Sequence, residues 1–335
     1  MKALVYTDTQ EVTYRDEPLP NPRLGDVVMD VSAAAICGSD MHAYHGHDER
    51  RVPPLILGHE VCGTVVDGKH AGKRMVINPL MTCGVCLDCL TGRSNLCTKR
   101  ELIGMYLQGA FAEKVAIEER NLLEIPEDMS PISASITEPT ATALHAIALV
   151  ERISYRPLSE MKCLVLGGGA IGLLSALVLK AKGALQIDLG ETNALRRASI
   201  EDQHCATVYD PLSEPPPHLG EYDVVLDCVG SGITRKVSCE VVRPGGIISH
   251  VGLQDSEGGF DSRKITLQEI TVLGNYCYTT ADMKASIDML YQQRLGNLNW
   301  IDVRPMSAGG QAFDDLHHGR VAAAKIVLQP DHLMN

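Results

Sequence analysis

A glycine-rich turn between an apolar run and an apolar helical stretch constrains the fold of this chain more than any other feature. The segment Gly167-Gly168-Gly169-Ala170-Ile171-Gly172 fits the pattern G-x-G-x-x-G, and residues 163–166 before it are all apolar or cysteine. In that context Gly167 allows a tight turn, Gly169 lets the backbone approach a pyrophosphate, and Gly172 lets the helix pack against the sheet. The turn therefore predicts a parallel sheet that binds a dinucleotide at a helix N-terminus. The predicted contacts come from Gly167, Gly169, Ala170, Ile171 and Gly172.

An acidic residue beyond the turn bears on the choice of dinucleotide. Glu191 follows the apolar segment 184–190, about 20 residues beyond the turn, where a carboxylate binds the adenosine ribose hydroxyls. Asp188 is a rival, but it falls inside the predicted strand. Because a carboxylate repels a 2′-phosphate, Glu191 favours NAD over NADP, while the nearby Arg196 keeps NADP open. The alternative to a dinucleotide site is a glycine turn in an unrelated α/β domain.

The pattern of apolar segments divides the chain in two. In the first third, short Val/Ile/Met-rich segments are separated by proline and glycine, which predicts an antiparallel barrel with long loops. These segments are residues 2–6, 26–34, 60–66 and 74–78. From about residue 161, short apolar strands alternate with helical intervals, which predicts a parallel sheet covered on both faces. The strands are predicted at 184–190, 207–209, 223–227, 246–251 and 270–273, a further helix at 281–295, and a last strand at 322–328 that returns to the first region.

The amino-acid composition limits which partners the protein can have and which residues can form its core. The formal net charge is −12, and a surface this acidic repels phosphate backbones and anionic lipid, so neither nucleic acid nor a membrane is expected as a partner. Aromatic residues make up 4% of the chain, so the core must be aliphatic. With no signal peptide and no spanning segment in the sequence, we expect a soluble, cytoplasmic protein.

Four cysteines lie close together in an otherwise scattered set of eleven. They are Cys83, Cys86, Cys89 and Cys97, and their spacing is C-x2-C-x2-C-x7-C. Such a loop can wrap one tetrahedral zinc ion with four thiolates, which leaves no position for substrate and makes the metal structural. An iron–sulfur cluster is an alternative, but the spacing matches neither ferredoxin pattern well. Four unrelated buried cysteines are the other alternative.

A second set of metal-ligating residues lies in the barrel-like third. Cys37 and His59 offer one thiolate and one imidazole, which suit zinc. An acid can complete three protein ligands and leave a fourth position open for water or an alcohol. Two acids are candidates, Glu60 beside His59 and Glu138 in Thr137-Glu138-Pro139-Thr140.

Taken together, these motifs resemble those of the zinc-dependent medium-chain alcohol dehydrogenases, nearest the sorbitol (polyol) dehydrogenase branch. The resemblance runs from Met1 to about Gln329. It rests on Cys37-Gly38-Ser39-Asp40-x-His42, Gly58-His59-Glu60, the four-cysteine segment, Glu138-Pro139, and the glycine turn with Glu191.

The resemblance implies a role for each residue. Cys37, His59 and Glu60 would bind the catalytic zinc, and Glu138 would hold the zinc-bound water. Asp40 would orient His59. Ser39 would take the substrate proton and His42 would pass it to solvent.

The resemblance also implies the architecture and the reaction. The fold class is α/β, with a GroES-like β-barrel catalytic domain at residues 1–142 and 279–335, a structural zinc lobe at 80–100, and a Rossmann doubly wound parallel sheet at 143–278. The implied protein binds two zinc ions and NAD, forms a homodimer or homotetramer, and interconverts a secondary, polyol-like alcohol and a ketone by hydride transfer.

Two departures from the polyol branch leave the substrate open. Cys277 stands where that branch usually has a substrate-contacting arginine, and Ala43 stands where an aromatic residue often follows the relay histidine. NADP-dependent and amino-alcohol (threonine-type) dehydrogenases remain alternatives, as does a non-enzymatic zinc- and nucleotide-sensing protein. Four further histidines are expected to be solvated and receive no role: His45, His47, His317 and His318.

Overall fold

The computed structural model describes residues 1–334 of the 335-residue chain. Asn335, the last residue of the predicted catalytic range, lies outside the described residues. The strands are β1 (Lys2–Asp8), β2 (Glu11–Asp16), β3 (Asp26–Ala35), β4 (Leu55–Ile56), β5 (Glu60–Val65), β6 (Arg74–Ile77), β7 (Leu80–Met81), β8 (Glu101–Leu102), β9 (Lys114–Glu118), β10 (Leu122–Glu124), β11 (Lys162–Leu166), β12 (Gln186–Gly190), β13 (Thr207–Tyr209), β14 (Tyr222–Asp227), β15 (Val242–His250), β16 (Thr271–Gly274), β17 (Ile301–Pro305) and β18 (Lys325–Gln329).

The helices connect and cover these strands. They are α1 (Gly38–Tyr44), α2 (Leu87–Leu90), α3 (Pro131–Ser135), α4 (Thr137–Ile153), α5 (Ala170–Ala181), α6 (Ala194–Glu201), α7 (Gly232–Val241), α8 (Ser262–Leu267), α9 (Thr280–Tyr291) and α10 (Gly309–His317). Within residues 1–334, no helix is both long and apolar enough to cross a membrane.

The larger sheet of the N-terminal region is mostly antiparallel. Its strand order is β10-β6-β5-β3-β18-β17, and β9 also pairs with β3. In β3 the side chains of Val27, Met29 and Val31 are buried at every second position, as expected for a strand with one face in a core. Because β18 pairs with β3, the C-terminal end of the chain returns to the N-terminal sheet, as the sequence predicted.

The second sheet is parallel throughout. Its order is β13-β12-β11-β14-β15-β16, so the chain runs outward from β11 first in one direction and then in the other. This order opens a crevice at the carboxyl ends of β11 and β14, where ligands bind in doubly wound sheets. Strand β14 is buried along its whole length, which explains why its central residues Val224, Val225 and Leu226 are consecutive apolar residues rather than alternating ones.

The largest core cluster extends across both regions. It includes Cys62 of β5 and Val165 of β11, joined by residues of α4, α5 and α9. Its members are mainly Ala, Val, Leu, Ile and Met, in agreement with the low aromatic content of the sequence. Helix α4 packs against both α5 and α9 and so links the two sheets.

Most predicted strands appear within a few residues of their expected bounds. The segment predicted at 184–190 forms β12 from Gln186, and that predicted at 246–251 forms the longer β15 from Val242. The sequence did not indicate β17, in which Asp302 and Arg304 interrupt the apolar residues. This strand forms because β18 supplies a parallel partner along its full length.

Candidate active site

The four-cysteine segment folds into a compact loop around α2. The Sγ atoms of Cys83 and Cys89 are 3.9 Å apart, those of Cys86 and Cys89 3.4 Å, and those of Cys97 and Cys83 3.6 Å. A tetrahedral ion with Zn–S bonds of about 2.3 Å would separate its sulfurs by about 3.8 Å. The four thiols therefore fit one zinc ion, and all four predicted ligands come together.

Backbone conformation and backbone dipoles support this loop. Gly84 and Gly92 adopt positive φ angles of 72° and 79°, which give the loop its bends. The backbone N–H groups of Val85 and Cys86 lower the pKa of the Cys83 thiol to about 6. A thiolate is therefore available at neutral pH, which is the form that binds metal.

The second predicted ligand set also comes together. The ligand atoms of Cys37, His59 and Glu60 all lie within 4.8 Å of one another. Cys37 is the N-cap residue of α1, and its sulfur accepts a hydrogen bond from the N–H of Ser39 at 3.5 Å. One thiolate, one imidazole and one carboxylate form a donor set that suits zinc and leaves a fourth position open.

The carboxylate of Asp40 lies behind the imidazole of His59. Its Oδ1 is 3.6 Å from Nδ1 of His59, and both side chains are buried. Burial alone would lower the pKa of His59, but the charges of Asp40 and Cys37 outweigh it and raise that pKa well above its usual value. Asp40 therefore faces Nδ1 of His59, a position that fits the orienting role that the resemblance implied.

Lys325, which belongs to none of the sequence motifs, pairs with Glu60. Its Nζ donates to Oε1 and Oε2 of Glu60 at 2.8 and 2.7 Å and to the carbonyl of Ile36 at 2.9 Å. Both charged side chains are fully buried. The only signal in the sequence was a lysine at the start of the apolar strand β18. Charged residues are rarely buried unless they are paired, so a lysine in a buried strand indicates a partner of opposite charge.

Glu138 is the second residue of α4 and is almost fully buried. Burial raises its pKa to about 7, and the charge of Glu60 adds to the increase while that of His59 opposes it. Two buried hydroxyls lie on this side of the site. The Thr137 hydroxyl has no hydrogen-bond partner within residues 1–334, and the Tyr278 hydroxyl lies beside the Glu138 carboxylate, whose charge adds to burial in raising the pKa of Tyr278. This side of the site is therefore a buried polar surface that can bind water or substrate hydroxyls.

The two predicted proton-relay residues lie one turn apart on α1. Ser39 and His42 are both partly exposed. The Oγ atom of Ser39 accepts a hydrogen bond at 3.1 Å from Nη2 of Arg51, a buried residue outside the sequence motifs. Burial lowers the pKa of His42, so this ring is neutral and able to accept a proton at neutral pH.

The glycine turn has the conformation that the sequence predicted. Gly167 adopts a φ of 92°, and a Cβ on Gly172 would lie 1.8 Å from the carbonyl oxygen of Gly167. A Cβ on Gly169, the N-cap residue of α5, would have no atom within 4 Å. Ala170 and Ile171 form the first turn of α5. The turn is therefore tight, and open space lies next to Gly169, which fits a bound pyrophosphate.

The carboxylate of Glu191 lies against this turn. Its Oε2 accepts a hydrogen bond from the N–H of Gly168 at 2.8 Å, and its Oε1 accepts one from the N–H of Asn193 at 2.7 Å. Arg196 is in the first turn of α6, and its buried Nε has no partner within residues 1–334. The neighbouring Arg197 instead donates to the carbonyls of Glu191 and Thr192. The site thus combines a fixed carboxylate with one incompletely paired guanidinium.

The residues after β16 connect the parallel sheet to the four-cysteine loop. Nδ2 of Asn95 donates to the carbonyl of Tyr276 at 2.8 Å, and Nε of Arg100 donates to the hydroxyl of Tyr276 at 3.1 Å. The next residue, Cys277, has a positive φ of 49°. Burial and the charge of Glu138 raise the pKa of its thiol to about 12, so Cys277 is a neutral thiol beside the candidate site.

The four unassigned histidines are not independent surface residues. Nε2 of His45 lies 2.9 Å from Nδ1 of His317, and the rings of His47 and His318 lie next to these two. The expectation of four solvated side chains is therefore wrong for His45, which is half-buried against α10. His45 and His317 are far apart in sequence and meet because α1 packs against α10.

Comparison with known proteins identifies the family. Residues 23–127 match the alcohol dehydrogenase GroES-like domain, and residues 170–292 match the zinc-binding dehydrogenase family. A sorbitol dehydrogenase of Halalkalibacterium halodurans is 31% identical over 351 aligned positions, which cover 98% of this chain and 99% of the relative. An L-galactonate-5-dehydrogenase of Escherichia coli K12 is 30% identical over 84% of this chain and 85% of its own length.

A solved structure agrees with this assignment. A protein of Sinorhizobium meliloti 1021 with bound NADP has a TM-score of 0.84 and 28% identity, over 98% of this chain and 99% of that one. The mixed sheet order, the parallel six-stranded sheet and the sequence relatives lead to the same conclusion. This chain belongs to the zinc-dependent medium-chain alcohol and polyol dehydrogenases, oxidoreductases that act on CH–OH groups, with a GroES-like domain and a Rossmann domain.

Proposed function

We propose that this protein is an NAD-dependent dehydrogenase that interconverts a polyol-like secondary alcohol and a ketone. The observation that supports the proposal best is the convergence of Cys37, His59 and Glu60, whose ligand atoms lie within 4.8 Å of one another in a chain that also carries the glycine turn. These three residues would hold the catalytic zinc, and the four cysteines of the lobe would hold a structural zinc. A zinc ion at the first site supplies Lewis-acid polarisation of the substrate oxygen, and NAD supplies the hydride acceptor.

The residues of the chain then have separate tasks. Asp40 holds the imidazole of His59 in place through the Nδ1 atom of that ring. Ser39 accepts the proton of the alcohol while it gives up its own hydroxyl proton, and His42, neutral because burial lowers its pKa, is the final acceptor at the edge of the site. Glu138, whose pKa is raised to about 7, holds water in the buried polar surface beside the ligands.

The choice of NAD rests on Glu191. Its carboxylate is held against the glycine turn by two backbone N–H groups, where it would accept the ribose hydroxyls and repel a 2′-phosphate. Arg196 is the residue that would favour NADP instead, so a direct comparison of the two coenzymes tests this choice.

The domain boundaries and the assembly also belong to the proposal. We assign residues 1–142 and 279–335 to the catalytic domain and 143–278 to the NAD-binding domain, and we expect a homodimer or homotetramer. The family matches at residues 23–127 and 170–292 support a division between these two ranges.

The relatives and the site both support a polyol-like substrate. Sorbitol and L-galactonate, named in the two relatives, are both polyhydroxylated. The unpartnered hydroxyl of Thr137, together with the Tyr278 hydroxyl beside Glu138, offers hydrogen bonds to such a substrate. The neutral Cys277 offers no charge for a carboxylate, which favours an uncharged polyol such as sorbitol over a sugar acid such as L-galactonate.

The test is an NAD-reduction screen over polyols, sugar acids, short secondary alcohols and L-threonine. We expect turnover with at least one uncharged polyol, and loss of turnover together with one of two zinc ions in Cys37→Ser. Cys239→Ala, a change at a buried cysteine outside both clusters, is the matched control and should keep both ions. Normal turnover by Cys37→Ser, or turnover with L-threonine alone, would contradict the proposal.

A further inference from the structure

Arg51 is a fully buried cation whose role the proposed function does not yet explain. It lies in the loop after α1, and its side chain has no exposed surface. A buried guanidinium is costly unless its donors are paired. Nε of Arg51 donates to the carbonyl of Gly104 at 2.9 Å, and Nη1 donates to Oδ2 of Asp48 at 2.5 Å. These two contacts fix the plane and the position of the guanidinium.

The remaining nitrogen of Arg51 reaches the relay serine. Nη2 donates to Oγ of Ser39 at 3.1 Å and lies 4.0 Å from Oδ1 of Asp40. A guanidinium has donors and no acceptor, and it does not lose its proton in proteins. The Ser39 oxygen must therefore accept this bond, and its own hydrogen must point elsewhere.

The consequence concerns the direction of proton transfer. Within residues 1–334 the Ser39 hydroxyl has no second hydrogen-bond partner, so one hydrogen and one lone pair remain free on the partly exposed side of this residue. The adjacent positive charge also favours an oxygen that gains electron density while a proton passes through it.

We propose that Arg51 is a positioning residue that holds the Ser39 hydroxyl in the orientation needed for proton relay. This inference rests on the relay role of Ser39 in the proposed function. Arg51 does not itself touch substrate. It acts through the Ser39 oxygen, while Asp48 balances its charge.

The neighbouring Arg50 provides a matched control. Its Nε and Nη2 donate to the same Asp48 carboxylate at 2.7 and 3.0 Å, but its side chain is half exposed and makes no contact with Ser39. Loss of Arg50 therefore removes an arginine and an Asp48 partner without changing the relay hydroxyl.

The experiment is a double-mutant cycle on the zinc-loaded enzyme with NAD and its best alcohol. Arg51→Met should lower kcat by about 10- to 100-fold, the range expected for loss of a charge-assisted hydrogen bond. The KM for NAD should change little, both zinc ions should remain, and the solvent isotope effect on kcat should increase. The same change in a Ser39→Ala background should alter kcat little. Arg51→Lys, which keeps a donor, should recover part of the rate, and Arg50→Met should match the wild type.

The outcomes separate this inference from the proposed function. If Ser39→Ala is impaired and Arg51→Met lowers kcat equally in both backgrounds, Arg51 does not act through Ser39 and the inference is wrong. If Ser39→Ala has the wild-type rate, the relay role itself fails, and this inference fails with it. Where Arg51→Met does not fold, Arg51→Lys takes its place in the cycle. An equal loss of kcat with and without Ser39 again contradicts the inference.

Discussion

Both carboxylate oxygens of Glu60 accept hydrogen bonds from Nζ of Lys325, a residue from the last strand of the fold. The pair joins β5 to β18 and places a buried cation directly behind a candidate metal ligand. Because the two opposite charges are paired, both side chains can be fully buried beside Cys37.

We expect Lys325→Met to destabilise the protein strongly. Removal of one partner of a buried ion pair costs about 3–5 kcal/mol, because it leaves the other charge unpaired. The free energy of unfolding from urea denaturation measures the loss. Lys73→Met is the control, because its pair with Glu124 is exposed and such pairs contribute about 0–1 kcal/mol. Equal effects of the two changes would contradict this account of Lys325.

The second prediction concerns the structural metal. Cys89→Ser removes one of four thiolates, so metal analysis should give one zinc per chain instead of two, with a lower melting temperature. The control is again Cys239→Ala, which should retain both ions. Retention of two zinc ions by Cys89→Ser would show that the lobe does not depend on all four sulfurs.

The third prediction separates folding from cofactor binding at the glycine turn. Gly172→Ala should prevent the turn from forming, since its Cβ would lie 1.8 Å from the carbonyl oxygen of Gly167. Gly169→Ala should fold with nearly normal stability, because its Cβ meets no atom within 4 Å, but its methyl group would occupy the space expected for the pyrophosphate. Calorimetric NAD binding and thermal unfolding distinguish the two. Normal NAD affinity in Gly169→Ala would place the phosphates elsewhere.

The fourth prediction concerns coenzyme choice. Glu191→Gln removes the negative charge at similar size, so it should weaken NAD binding and raise the relative efficiency with NADP, each by about tenfold. A further Arg196→Ala should reverse the gain with NADP. Ratios of kcat/KM for the two coenzymes test this, and Glu201→Gln on the exposed end of α6 is the control. A wild-type preference for NADP would overturn the assignment.

The fifth prediction concerns the pH dependence of the metal-free protein. Since burial raises the pKa of Glu138 to about 7 from its usual 4.5, the folded state holds a proton that the unfolded state releases. The folded state is therefore expected to lose stability as pH rises from about 4.5 to 7, by roughly 2–3 kcal/mol. Denaturation of the metal-free wild type and of Glu138→Gln across this range measures the difference. The variant should show a weaker decline, and parallel curves would assign the effect to another group.

Local spacing explains which parts of the molecule could be predicted from the sequence. The glycine turn and the four cysteines each lie within a short segment, so their residue types and intervals define the geometry directly. Glu191 was found for the same reason, because the length of one helix and one strand sets its distance from the turn.

Long-range contacts explain what was missed. Lys325 meets Glu60, and His317 meets His45, across more than 260 residues, and no periodicity links such positions. Arg51 is close to Ser39 in sequence, yet it lies in an irregular loop where charged residues are usually exposed. Only the folded chain shows that this side chain turns inward.

The position of Lys325 in β18 has a consequence for biosynthesis. The parallel sheet is complete once β16 has been synthesised. In contrast, β3 and β5 can contact β18 only after that later strand has been synthesised. Until then Glu60 lacks its cation, Lys325, and the end of β3 that leads to Cys37 lacks its neighbouring strand. A nascent chain of this protein should therefore complete its parallel sheet before the ion pair that neutralises Glu60 can form.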